Sequence, residues 1–193
     1  SFTLEAGSYY KISIDVLTKD LHYLTAEDVE GKDDDTYDSF SYKNLIDSAT
    51  VTFTVNNKTY TFGKNTEKDK TEADFTGDTA TADWNEYKLA KARQVNSSET
   101  WTTLTYYIAL DDDIDDTVSA TLKLSIGGKS VSYWESGYLF IDNFTVQELT
   151  ETEYTAQAPV DDALDPTKDD YDETIAAKTY KISYTAEDAE AEE

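Results

Sequence analysis

The sequence predicts an all-β protein, an antiparallel β-sandwich over residues 1–150 with an acidic extension at 151–193. Three observations predict it. Several segments alternate apolar and polar residues with a period of two. Thr occurs 28 times and Tyr 15 times, and both favour strands, while Pro occurs only twice. Short turn signals, Asn56-Asn57 and Gly127-Gly128, separate alternating runs.

Each element follows from its residues. In 8–17 (SYYKISIDVL), Tyr10, Ile12, Ile14 and Val16 share one face, so a half-buried strand is expected. Residues 19–49 read as a long polar loop around Asp33, Asp34 and Asp35, with a short helix near Tyr42–Asp47. Residues 50–62 (TVTFTVNNKTYTF) give the strongest local signal. A type I′ turn at Asn56-Asn57 would pair Phe53 with Tyr60 and Val51 with Phe62 on the core side. Residues 63–83 read as a second long loop, and 84–93 fit a short strand or a helical turn.

In 100–110, Leu104, Tyr106, Ile108 and Leu110 face one way, and Trp101, Thr103, Thr105 and Tyr107 the other. In 117–126, Val118, Ala120, Leu122, Leu124 and Ile126 form the apolar face. A hairpin at Gly127-Gly128 would return with Val131 and Tyr133 inward and Trp134 outward, and residues 137–149 form the last firm strand. After residue 147 the composition changes: 15 acids stand against 3 Lys, with both prolines, Pro159 and Pro166. The stretch ends in AEDAEAEE, a solvated tail or linker; the run TYKIS at 179–183 begins another module or adds an edge strand.

Charge excludes whole classes of function. With 41 acids and 16 bases the formal charge is −25, and no basic stripe interrupts it. Neither a phosphate backbone nor an anionic membrane surface would attract such a chain. There is no Cys, hence no disulfide framework or thiolate zinc site, and no apolar run long enough to span a bilayer. Met is also absent, so the chain reads as a piece of a longer polypeptide whose export signal or anchor lies elsewhere, joined to neighbouring domains.

Chemistry for catalysis is sparse. His22 is the only histidine and Arg93 the only arginine, and no phosphate-cradling glycine motif occurs. No enzyme activity is expected. Asp111, Asp112, Asp113, Asp115 and Asp116 fail the EF-hand pattern, with Asp116 where Gly is needed and Leu122 where Glu is needed. They read as a solvated loop. Asp142 lies within an apolar strand, where an unpaired carboxylate is costly, so burial with a hydrogen-bonding or calcium partner is expected. Asn57, Asn96 and Asn143 each open an N-x-S/T sequon.

Aromatic side chains are the other candidates, because sugar rings pack their C–H faces on Trp and Tyr. Trp134, with Trp84 and Tyr107 as companions, is expected to form an exposed platform for a neutral glycan. Trp101 is expected to cap one end of the core.

The order of elements resembles a known family. LEAGSYYKISIDVLT, ETWTTLTYYIAL and GYLFIDNFTV are similar, in that order, to strands of galactose-binding-like jelly rolls, which include many bacterial carbohydrate-binding modules. The resemblance covers about residues 2–149 and implies a jelly-roll sandwich, a secreted or cell-surface location, and a structural calcium held in part by Asp142. It points to a non-catalytic module binding a neutral polysaccharide or oligosaccharide such as a glucan. The alternative is a structural spacer or adhesin module with no sugar site.

Overall fold

A computed structural model describes residues 1–22, 49–63, 70–95, 99–114, 117–126 and 136–190. The chain is mostly β. The described residues contain eight strands, β1 (Phe2–Glu5), β2 (Tyr9–His22), β3 (Ala49–Val55), β4 (Lys58–Phe62), β5 (Thr102–Leu110), β6 (Thr117–Ile126), β7 (Ser136–Leu149) and β8 (Thr179–Tyr184). They form two four-stranded sheets, ordered β1-β6-β3-β4 and β7-β2-β5-β8. All pairings are antiparallel except β5 with β8. The sheets face each other across one core, where Phe53 of the first meets Tyr106 of the second with ring centroids 4.9 Å apart.

The period-two faces fold as their residues dictate. Tyr10, Ile12, Ile14 and Val16 of β2 are buried, and so are Leu104, Tyr106, Ile108 and Leu110 of β5. The β3–β4 hairpin pairs Val51 with Phe62 and Phe53 with Tyr60. Val51, Phe53 and Phe62 are fully buried, while threonine pairs Thr52–Thr61 and Thr54–Thr59 line the outer face. Only Asn56 of the turn pair takes a left-handed φ, 46°, so the turn is not type I′, which needs both. The Asn56 side chain compensates: its carbonyl accepts from the Ser119 N–H (3.2 Å) and its amide donates to the Tyr184 hydroxyl (2.6 Å).

Three expectations need correction. The loop expected at 63–83 gives way at Ala80 to a helix, α1 (Ala80–Ala92), which is the helical alternative for 84–93, since Ala, Leu, Lys and Glu carry the helix preference that a weak periodicity did not reveal. The apolar face of β6 fades along the strand: Val118 and Ala120 are buried, Leu122 and Leu124 half-buried, and Ile126 exposed. And β7, expected in the core, is the edge of its sheet among the described residues, with Tyr138, Phe140, Ile141, Phe144 and Val146 all exposed. The opposite sheet ends here in the four-residue β1, which covers little; Phe2 reaches Phe144 at 6.3 Å.

Residues 151–190 fold onto the sandwich. They form α2 (Glu151–Gln157), α3 (Asp161–Leu164), α4 (Glu173–Ala176), β8 and α5 (Ala186–Glu190). The Thr150 hydroxyl accepts from the Glu153 N–H (3.2 Å), and the Glu153 carboxylate accepts from the Thr150 N–H (2.8 Å), a reciprocal cap that starts α2. β8 is the edge-strand alternative for 179–183. Its Ile182 and Tyr184 are buried in the shared core, so residues 179–184 are neither tail nor linker. The expected loop and short helix within 19–49, apart from its ends, lie outside the described residues. So do Asn96, Asp115, Asp116, the Gly127-Gly128 hairpin and Trp134.

Candidate functional site

The outer face of the β7-β2-β5-β8 sheet carries the candidate site. Register fixes which residues share a row. Lys11 stands between Gln147 and Tyr107, Ser13 between Thr145 and Thr105, and Asp15 between Asp142 and Thr103. Leu17 pairs with Phe140 and Lys19 with Tyr138. Trp101 immediately precedes Thr102, the partner of Val16, so the same register sets it opposite Leu17. Side chains alternate across a strand, which puts Trp101, Leu17, Phe140 and Tyr138 on one outward surface.

One end of this face is covered. Tyr154 of α2 packs on Tyr9 at 5.0 Å and on Tyr107 at 6.2 Å between centroids. The Lys11 ammonium lies 5.6 Å from the Tyr107 ring and donates to Gln157 (3.3 Å). Tyr107 is therefore only 8% exposed and cannot belong to an open platform, although its strand position faces outward. Strand register gives the direction of a side chain and is silent about a helix arriving from fifty residues downstream.

Among the described residues nothing comparable covers the other end. Trp101 is 49% exposed, Phe140 47% and Tyr138 57%. The Tyr138 and Phe140 rings lie 6.0 Å apart and within 19° of parallel. Trp101 thus does not cap the core, which was the expectation for it. Beside the aromatic row runs a polar one. The Thr103 hydroxyl donates to one Asp15 oxygen (2.5 Å) and the Asn143 amide to the other (2.7 Å). These two donors hold the Asp15 carboxyl below its ordinary pKa, Thr103 contributing most. Ser13 and Thr145 continue the polar surface, their hydroxyls 2.7 Å apart.

Asn143 reaches Asp15 because β7 is bulged. Between the pairs Ser13–Thr145 and Asp15–Asp142, β2 advances two residues and β7 three. Asn143 occupies that bulge with φ 48°. The sequon asparagine is therefore a surface bulge residue, not part of a core strand. A short polar side chain tolerates this conformation, and Asn-x-Thr gave no cue to distinguish a bulge from a straight strand.

Asp142 and Trp84 depart from expectation. Asp142 is exposed, with one oxygen accepting from the Asn143 N–H (2.8 Å). Its expected burial rested on a core position for β7, and β7 is an edge. Its register partner Asp15 already has both oxygens hydrogen-bonded. Among the described residues this is not the set of six to eight oxygens that calcium takes. Elsewhere, carboxylate oxygens of Asp111, Asp112 and Asp113 lie within 4.8 Å of one another on an open loop, an arrangement common for solvated acids. Trp84 sits on α1, half-buried, 5.6 Å from Phe75 and 5.7 Å from Tyr87. The end of α1 docks on β8, the edge opposite β7. Trp84 and Tyr107 thus do not join one surface.

A cleft of about 380 Å³ opens where the core ends, lined among others by Val16, Thr18, Thr102, Leu104, Thr174 and Lys178. Among the described residues its lining offers threonine hydroxyls, the Gln94 amide and one ammonium. None of the described helices is long and apolar enough to cross a membrane. Comparison of the chain with protein-family models, with curated proteins and with solved structures gave no match.

Proposed function

We propose that this chain is a non-catalytic carbohydrate-binding module of a secreted or cell-surface bacterial protein, and that it binds a neutral glycan such as a glucan. One observation carries the reading: exposed Trp101, Phe140 and Tyr138 stand beside a hydrogen-bonded row of Thr103, Asp15 and Asn143. Aromatic faces take the C–H face of a sugar ring, and polar groups alongside take its hydroxyls. The site moves from the expected Trp134, Trp84 and Tyr107 to these residues. Trp134 lies outside the described residues.

The charge supports a neutral ligand. Asp15 and Asp142 sit on this face of a chain of net charge −25, which repels uronic or sulfated polymers. A galactose-binding-like jelly roll is the fold we infer with it. In support, among the described strands each successive pair except β3–β4 and β7–β8 lies in different sheets. Among the described residues no Asp or Glu is buried, whereas a hydrolase would set two carboxylates across a cleft.

A glycan array followed by affinity gels containing barley β-glucan, konjac glucomannan or wheat arabinoxylan tests the reading. Retardation of the wild-type protein by at least one neutral polymer, lost in Phe140→Ala with thermal unfolding unchanged, is the expected result. No binding to any neutral glycan would leave the spacer or adhesin alternative.

A further inference from the structure

Resting on that reading, we infer that α2 is an autoinhibitory latch: it fills a second sugar subsite, at Tyr9, Lys11 and Tyr107, and lifts when glycan enters there. Tyr154 stands where a sugar ring would. Its ring lies 5.0 Å from that of Tyr9, tilted by 42°, and 6.2 Å from that of Tyr107, edge-on at 77°. Gln157 stands where a sugar hydroxyl would, accepting from the Lys11 ammonium (3.3 Å). With α2 lifted, this corner presents two tyrosine rings and one ammonium. The paired hydroxyls of Ser13 and Thr145 follow on the next row. Aromatic faces with a few polar groups beside them are what a sugar ring needs.

The attachment of α2 lets it move alone. Its seven residues make about two turns, too few for a helix stable by itself. Among the described residues of α2, Tyr154 alone is buried. With Tyr107 and Leu149 it forms a small apolar cluster apart from the main core. The flanks are fixed independently. Leu149 is held in β7 by its pairing with Tyr9. Beyond the exposed Val160, Asp161 pairs with Lys181 (2.9 Å) and Ala163 is buried. Further on, Ile182 and Tyr184 anchor β8 in the main core. Residues 150–160 can therefore lift while the sandwich stays folded, the local opening expected of a segment held by few apolar contacts. Closure weakens binding, because apparent affinity falls with the fraction of open molecules.

The experiment uses the full chain and the three polymers named above. Wild type, Tyr154→Ala, and Tyr154→Ala combined with Tyr9→Ala are compared in affinity gels, with thermal unfolding as the check on folding. Tyr154→Ala should bind the retarding polymer about tenfold or more tightly than wild type, and adding Tyr9→Ala should cancel the gain. Hydrogen exchange on the wild type tests the latch without any variant. The Tyr154 and Ala158 amides are bonded within α2 to the Thr150 and Tyr154 carbonyls. Saturation with oligosaccharides of that polymer should speed their exchange and leave that of Ile108 in β5 unchanged. If Tyr154→Ala folds and binds no tighter than wild type, or if ligand slows or leaves unchanged the exchange in α2, the latch is overturned and the glycan reading stands on Trp101, Phe140 and Tyr138. If no neutral polymer retards either wild type or Tyr154→Ala, both fall.

Discussion

The Arg93 guanidinium lies 3.7 Å above the ring of Tyr180 and ties the end of α1 to the start of β8. Its Nε donates to the Ala176 carbonyl and one terminal nitrogen to the Thr179 carbonyl, both at 3.1 Å. The Arg93 carbonyl in turn accepts from the Gly63 N–H (2.7 Å) just after β4. Tyr180 stacks within 5° of parallel on Tyr106, and its hydroxyl donates to the Thr61 carbonyl (2.8 Å). One cation thus joins three segments far apart in sequence at the β4/β8 side of the sandwich. Burial lowers the Arg93 pKa, yet an arginine remains charged under such conditions.

Arg93→Ala should therefore cost about 2–4 kcal/mol, because it strands two carbonyls and removes the cation–π contact. Arg93→Lys should recover only part, since an ammonium lacks the planar fork that meets two acceptors. Urea unfolding checks both. The midpoint should fall in the order wild type, Lys, Ala, with the slope unchanged.

Truncation after residue 150 should leave no cooperatively folded domain. The removed segment carries Ala176, Ile182 and Tyr184, all essentially fully buried, together with Tyr180. Each large apolar side chain is worth about 1.5–3 kcal/mol on burial. Their loss rivals the 5–15 kcal/mol total of an ordinary domain. Asn56 would also lose its Tyr184 hydroxyl. Circular dichroism melts and limited proteolysis of residues 1–150 decide it. A sharp melt close to that of the full chain would refute the prediction.

How far the fold could be read from sequence depended on whether a local pattern and its tertiary setting agreed. The β3–β4 hairpin was legible to the residue, since the turn fixes the register and the register fixes the buried set. In β7 the same reasoning failed. Ile141, Phe144 and Val146 look like core residues, but a short β1 opposite leaves them uncovered. The candidate site shows the same division. Outward direction was readable for Trp101 and Tyr107 alike, yet α2 covers one and leaves the other bare. The polar row was hidden because Asn143 reaches Asp15 through a bulge that no local residue pattern announces.

Stability should fall as pH rises above about 10. Burial, followed by the nearby Asp161 and Tyr9, pushes the Tyr154 hydroxyl up to about 12. Burial likewise raises Tyr106, Tyr180 and Tyr60. In the unfolded chain these phenols ionise near pH 10. Between that value and the raised folded values the unfolded state releases protons that the folded state keeps, so alkali favours unfolding. Tyrosinate absorbance should rise in two stages, exposed tyrosines first and the buried set together with loss of the far-ultraviolet signal. For Tyr154→Phe, the midpoint should depend less on pH between 10 and 12.

Chelation and Asp142→Ala should both leave the melting temperature nearly unchanged. Asp142 is solvent-exposed on an edge strand, and its hydrogen bond is to the neighbouring Asn143 N–H, which water can replace. Substitution should thus stay within the roughly 0.5 kcal/mol typical of surface positions. A structural calcium bound well below its working concentration would instead add stability by mass action, and its removal would lower the melting temperature measurably. Melts with millimolar calcium and with excess chelator, for wild type and Asp142→Ala, separate the cases. A chelator-induced drop that Asp142→Ala abolishes would place an essential calcium ligand at Asp142. A drop of equal size in both proteins would put the ion elsewhere. Equal melts in all four conditions are the expected outcome, because the described residues around Asp142 and Asp15 do not gather the six to eight oxygens of a calcium shell.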